Sequence, residues 1–156
     1  MKKLMVFLVC TLVLNLVRMS PAMAMEHVVA DDIITEDIII DVSALACERV
    51  DSIENVQTSP YATTSFDWSI SAGKIKKNSN RYPMLKNETI TIEATFTPRD
   101  CDVDFGLIAP DGRFYYSSGS NGQIDQTIRV DQDGDYYLAV RNNSDKTVDA
   151  KGIVYY

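Results

Sequence analysis

Histidine is nearly absent from this 156-residue chain. His27 is the only one, and it stands at the very start of the expected mature protein, so imidazole general bases and Ser-His pairs have no residue to build on. Cysteine is scarce too: Cys10, Cys47 and Cys101 are too few, and too widely spread, for a zinc centre. Beyond the first 20 or so residues there is no second apolar run of membrane-spanning length. Helical periodicity is almost missing, and neither an internal repeat nor a low-complexity tract is present. Basic residues are outnumbered, 15 against 22 acidic. Such a chain repels nucleic acid and anionic lipid, and both drop out as partners.

What is there begins with an export leader. Lys2 and Lys3 form a basic start, Leu4 to Val17 is an apolar run broken only by Thr11 and Asn15, and Ala22-Met-Ala24 is a small-x-small cleavage motif. Residues 1–24 are therefore expected to be a signal peptide removed after Ala24, releasing a secreted or cell-surface product. Cys10 follows Leu8-Val9 inside the apolar run, which is the wrong context for lipid modification. The mature chain of about 130 residues suits one domain. Lys2, Lys3 and Arg18 leave with the leader while no acidic residue does, so its net charge is about −10. That balance is compatible with solubility, cation binding or a neutral glycan partner.

Cys47 and Cys101 survive processing. In an oxidising compartment the pair invites a disulfide worth about 4 kcal/mol by loop-closure entropy, with two unpaired thiols as the alternative.

Residues 25–64 differ in character from the rest of the mature chain. Asp31 to Val42 mixes acidic and aliphatic residues without clean alternation, and Gln57 to Thr64 is linker-like, so the segment is an N-terminal linker, an edge strand or a cover. From Ser65 a two-residue period takes over. Phe66, Trp68 and Ile70 form one apolar face; Ile90, Ile92, Ala94 and Phe96 form the clearest of all. Val103, Phe105 and Leu107 come next and run into the turn Ala109-Pro-Asp-Gly112. Arg113 to Ser117 is a short aromatic strand, and Tyr136, Leu138 and Val140 alternate again after Asp131-Gln-Asp-Gly134. About seven to eight strands over 65–156 predict an all-β, antiparallel, jelly-roll-like sandwich.

The order of motifs resembles a known module. Leu85-Lys-Asn-Glu-Thr-Ile-Thr-Ile-Glu-Ala94, Asp102-Val-Asp-Phe-Gly-Leu-Ile-Ala-Pro-Asp-Gly112 and Gly134-Asp-Tyr-Tyr-Leu-Ala-Val-Arg-Asn142 are similar to the bacterial pre-peptidase C-terminal domain and related jelly-roll modules. The resemblance covers Ser65 to Tyr156. It implies a β-sandwich with roles in secretion, localisation or substrate contact and no catalysis of its own. No peptidase is expected to accompany the module, since 25–64 is too short for one.

Four groups of residues are candidates for chemistry. Asp102 and Asp104 share an outward face, the arrangement a glycosidase needs, but nothing around them reads as a cleft. Asp131, Asp133 and Asp135 put three hard carboxylates on one glycine-containing turn, which is calcium chemistry, although the sixth-position glycine and terminal glutamate of an EF-hand loop are missing. Asp100, Asp102 and Asp104 form a second acidic row. With Phe114 and Tyr116 inward, Tyr115, Tyr137 and Tyr155 are expected on an outer face where rings can stack on sugar, while Trp68 is expected in the core. Together these predict an exported, non-enzymatic binding or adhesion module for a glycan, cell-wall or protein ligand, with calcium as its candidate ion. The alternative is a structural or secretion-accessory domain with no small ligand.

Overall fold

Alternation of apolar and polar residues continues from sequence into space. In a computed structural model, residues 38–56 and 63–156 are described. The leader, its cleavage motif, Cys10, His27 and residues 57–62 of the linker-like stretch lie outside the described residues. Twelve strands occur in chain order: β1 (Ile39–Asp41), β2 (Ala46–Arg49), β3 (Glu54–Val56), β4 (Thr63–Ile70), β5 (Ile75–Asn78), β6 (Tyr82–Met84), β7 (Thr89–Thr97), β8 (Val103–Ile108), β9 (Arg113–Ser118), β10 (Gln123–Arg129), β11 (Gly134–Asn142) and β12 (Val148–Tyr155). A single 3-10 turn, Val42–Ala44, is the one helical element among the described residues.

The strands form two sheets. The first has the order β1-β10-β7-β12-β4; the second runs β2-β9-β8-β11-β5-β3, with β6 also on β11. β11 holds the second sheet together because it is long enough to serve several neighbours. Tyr137–Asn142 pair with β8 on one side, while Ala139–Arg141 pair with β5 and Gly134–Tyr136 with β6 on the other.

The expected wholly antiparallel sandwich of seven to eight strands is corrected in two respects. Among the described residues there are twelve strands, nine of them from Thr63 onward, and the pairs β1–β10 and β3–β5, each formed by an N-terminal strand, are parallel. The extra strands are only three or four residues each, too short to generate a readable period. The described part of 25–64 supplies both edge strands and a cover: β1 joins the first sheet, β2 and β3 border the second, and Val50 and Ile53 pack over its outside.

The main core lies between the sheets. Phe66, Trp68 and Ile70 of β4, and Ile90, Ile92, Ala94 and Phe96 of β7, meet Val103, Phe105 and Leu107 of β8 and Tyr136, Leu138 and Val140 of β11. Each large apolar side chain removed from water here contributes about 1.5–3 kcal/mol. A second, smaller core lies on the outside of the second sheet, where Ile75, Ile108, Phe114 and Ala139 are covered by Val50 and Ile53. For this reason β8 is buried on both faces, although its sequence promises one polar face.

Candidate binding faces

The outer face of the second sheet carries a closed polar cluster. Arg141 stands opposite Asp104 in the β8–β11 ladder and donates to its Oδ2 from Nε at 3.0 Å and Nη2 at 2.7 Å. Asn143 Nδ2 donates to the same oxygen at 2.7 Å, and Ser118 Oγ to Oδ1 at 2.6 Å. Arg141 Nη1 turns to Glu48 on β2. The guanidinium lies 4.3 Å from the Tyr116 ring centre and 5.5 Å from that of Phe114, so the cation is sandwiched by carboxylates and aromatic faces. Burial lowers the Arg141 pKa from its ordinary value. Nearby, Lys76 pairs with Glu54 at 3.3 Å and Lys77 sits 4.3 Å over Tyr137. The charges of this face are matched internally. They fasten the 46–56 strap to the sheet.

The outer face of the first sheet is different. Asp67 on β4, Glu93 on β7, Asp125 on β10, and Asp149 and Lys151 on β12 all project from it and all are exposed. None of these five makes an ion pair among the described residues. Asp125 stands directly opposite Glu93, a like-charge cross-strand pair that works against the ladder. Lys151 lies between Asp67 on one neighbouring strand and Thr95 on the other. Three shallow hollows open around it. One of ≈ 430 Å³ is bordered by Glu93, Asp125 and Ile153, and one of ≈ 270 Å³ by Asp67, Thr97 and Asp149. Hydroxyls of Ser65, Ser69, Thr91 and Thr95 occupy the same phase.

The expected tyrosine platform is not assembled. Tyr155 lies on the open face of the first sheet at 38 % exposure, Tyr137 on the outside of the second, and Tyr115 points inward against the main core. Its hydroxyl donates to Asp111 Oδ2 at 2.9 Å; desolvation and that carboxylate together raise its pKa. The inversion has a simple cause. Tyr115 is paired with inward-facing Leu107, so Phe114 and Tyr116, expected inside, face out and build the second core. Trp68 is in the core as expected.

The calcium turn is corrected as well. Asp133 Oδ1 accepts the Lys86 N–H at 2.6 Å and Asp135 pairs with Arg81 at 2.9 Å, so two of the three carboxylates are engaged by other groups. Among the described residues, no three acidic, histidine or cysteine side chains converge as a cation site. The row Asp100, Asp102, Asp104 is likewise broken up. Asp100 pairs with Lys146 at 3.1 Å, which lowers its pKa and raises that of the lysine, while Asp104 is buried.

Cys47 and Cys101 are free thiols, so the expected disulfide is not formed. Cys47 is exposed on β2 opposite Tyr115, itself opposite Leu107, whereas Cys101 is buried before the start of β8. From Leu107 back to Val103 alone β8 advances four residues, about 13 Å, and Cys101 precedes that strand, so the two cysteines do not share a level of the sheet.

Asp67 and Glu93 alternate in sequence with the apolar residues of β4 and β7, and Asp125, Asp149 and Lys151 stand in no motif that sets them apart. Their outward phase was readable; their arrival on one face required the β4–β12–β7–β10 register.

Fold and site together define a two-sheet β-sandwich with one covered face and one open, charged face. No protein-family model and no curated protein matches the chain. Several solved structures are similar to it, two of them as follows. PliG of Aeromonas hydrophila, a periplasmic lysozyme inhibitor of g-type lysozyme, is 13 % identical over 68 % of this chain and 98 % of its own, with a TM-score of 0.50. The pre-peptidase C-terminal domain of collagenase from Bacillus anthracis shows the same identity and coverages with a TM-score of 0.45. The likeness is one of fold. The pre-peptidase C-terminal sandwich that the motif order resembles is among the folds to which this chain is similar.

Proposed function

We propose that the chain is an exported, non-enzymatic, jelly-roll-like binding module whose contact surface is the outer face of the five-stranded sheet, and that its ligand is a protein. The leader pattern of residues 1–24 supports export. The observation that carries the binding reading is the set of five unpaired charges on that face, above all Asp125 opposite Glu93. Such a like-charge pair costs stability in the free protein, and a partner offering a cation there offsets the cost. A glycan is the weaker candidate, because stacking needs several rings on one face and only Tyr155 of the three expected tyrosines is there. A calcium-dependent mode has no converged ligand set among the described residues to support it.

The test is retention of the exported chain on immobilised candidates: periplasmic and secreted proteins of the source organism, a g-type lysozyme because a protein of similar fold inhibits one, and cell-wall glycan. Variants Asp125→Lys and Glu93→Lys accompany it. The wild-type chain should retain a protein in a salt-sensitive manner, and each variant should weaken retention by about tenfold or more. Each single variant also removes the like-charge pair, so its stability should rise by about 0.2–1 kcal/mol, which separates lost binding from lost folding. Retention by glycan alone, or protein retention indifferent to both variants, overturns the reading. No retention by any candidate would favour the structural or accessory role.

A further inference from the structure

Sheet edges are where a β-protein is open to another chain, because half of an edge strand's backbone groups face outward. Most rims of this sandwich are closed or short. β1, β2, β3 and β6 are three or four residues long, and the stretch of β10 that β1 leaves uncovered, Gln123–Gln126, is four. β4 is the exception. It is eight residues long, ends the first sheet, and has β12 as its only strand partner among the described residues. Its register with β12 runs from Thr63↔Tyr155 to Ile70↔Val148 without a bulge. Thr-Thr-Ser-Phe-Asp-Trp-Ser-Ile also lacks the lysine, arginine or proline with which proteins blunt an exposed edge.

We infer that the free edge of β4 is a docking strand for an extended cationic segment of a partner protein, which adds to the five-stranded sheet as a further strand. The inference rests on the proposed binding role and names the edge through which it works. Main-chain hydrogen bonds would hold such a segment, and alternate side chains would choose it. On the outer phase those side chains would face Ser65, Asp67 and Ser69, with the hollow bordered by Asp67 and Asp149 beside them. Asp67 makes no ion pair among the described residues, with Lys151 its cross-strand neighbour on the β12 side only, so on the open side a basic side chain is favoured and an acidic one repelled. The same charge logic disfavours the two other strands that could lie there. A second copy brings its own Asp67 within a chain of net charge −7, and the segment 25–37 carries Glu26, Asp31, Asp32, Glu36 and Asp37.

The experiment is amide hydrogen exchange of the exported chain with three synthetic probes: a decapeptide alternating lysine and valine, the same peptide N-methylated along the hydrogen-bonding edge, and one alternating glutamate and valine. In the free protein alternate β4 amides should exchange fast, and the lysine peptide should slow them by about tenfold or more. The N-methylated and glutamate peptides should not, and Asp67→Asn should weaken the effect. Binding of the lysine peptide without β4 protection overturns the edge assignment while leaving the open-face reading intact. Equal protection by the glutamate peptide overturns the charge selection. Protection already complete in the free chain overturns the proposal too: if it grows with protein concentration the occupant is a second copy, and if it does not the occupant is the chain's own segment. Absence of any binding by the lysine peptide also overturns it.

Discussion

Arg141 reaches across the β8–β11 ladder and holds Asp104 with two nitrogens, so that a carboxylate left 1 % exposed is nonetheless fully paired. Ser118 and Asn143 complete its hydrogen bonds, and the remaining arm of Arg141 ties in Glu48 from β2. An ion pair of this kind is costly to break from one side, since the surviving partner keeps its desolvation penalty. Arg141→Ala is expected to lower stability by about 3–5 kcal/mol. Asp104→Asn should cost less, because Arg141 retains Glu48 and its aromatic stack. Urea denaturation of both variants checks the order; an equal or reversed ranking means the cluster is not what fastens the strap.

Alkali should unfold the protein through two tyrosines. Tyr82 and Tyr136 have their pKa values pushed up to about 12, in each case chiefly by burial. Asn78 Nδ2 meets the Tyr82 hydroxyl at 2.6 Å, and the Tyr136 hydroxyl donates to the Gln132 carbonyl at 3.0 Å. Unfolding returns both to about 10, so their stabilising effect is complete below pH 10 and lost as pH rises towards 12. The urea midpoint should be flat to about pH 9 and fall between 10 and 12. Tyr82→Phe and Tyr136→Phe should each flatten that fall. An unchanged slope in both would assign it to other groups.

Gly106 lies in the middle of β8, where a Cβ would run into the Tyr115 carbonyl oxygen and come within 2.7 Å of the Tyr116 Cα. Backbone cannot swing aside as a flexible side chain can. Gly106→Ala is expected to cost about 1–3 kcal/mol by overpacking and to loosen β9. Thermal denaturation against Gly119→Ala makes the comparison, because the nearest obstacle there is the Phe96 ring, a side chain that can adjust.

Thiol chemistry should distinguish the cysteines. A thiol reagent should modify exposed Cys47 rapidly in the native protein and buried Cys101 only after denaturant is added. Mass spectrometry of the exported chain without reductant should show both thiols free. A mass two hydrogens lower would restore the disulfide.

The sandwich class was legible from local pattern. β4 and β7 alternate so cleanly that their inward residues could be named from sequence, and they are buried as named. Period and turn chemistry are properties of neighbouring residues, and no distant contact is required to express them. What lies across a ladder is another matter. Tyr115 faces inward because it meets Leu107, Asp125 meets Glu93 only through the β7–β10 register, and Asp104 is buried because a strap from much earlier in the chain lies over the outside of its sheet. A one-residue change of register exchanges the two faces of a strand, so register decides which side chains become core, clamp or open surface. The residue types and their rhythm belong to the sequence; the face each charge shares, and whether it is already paired there, belongs to the folded chain alone.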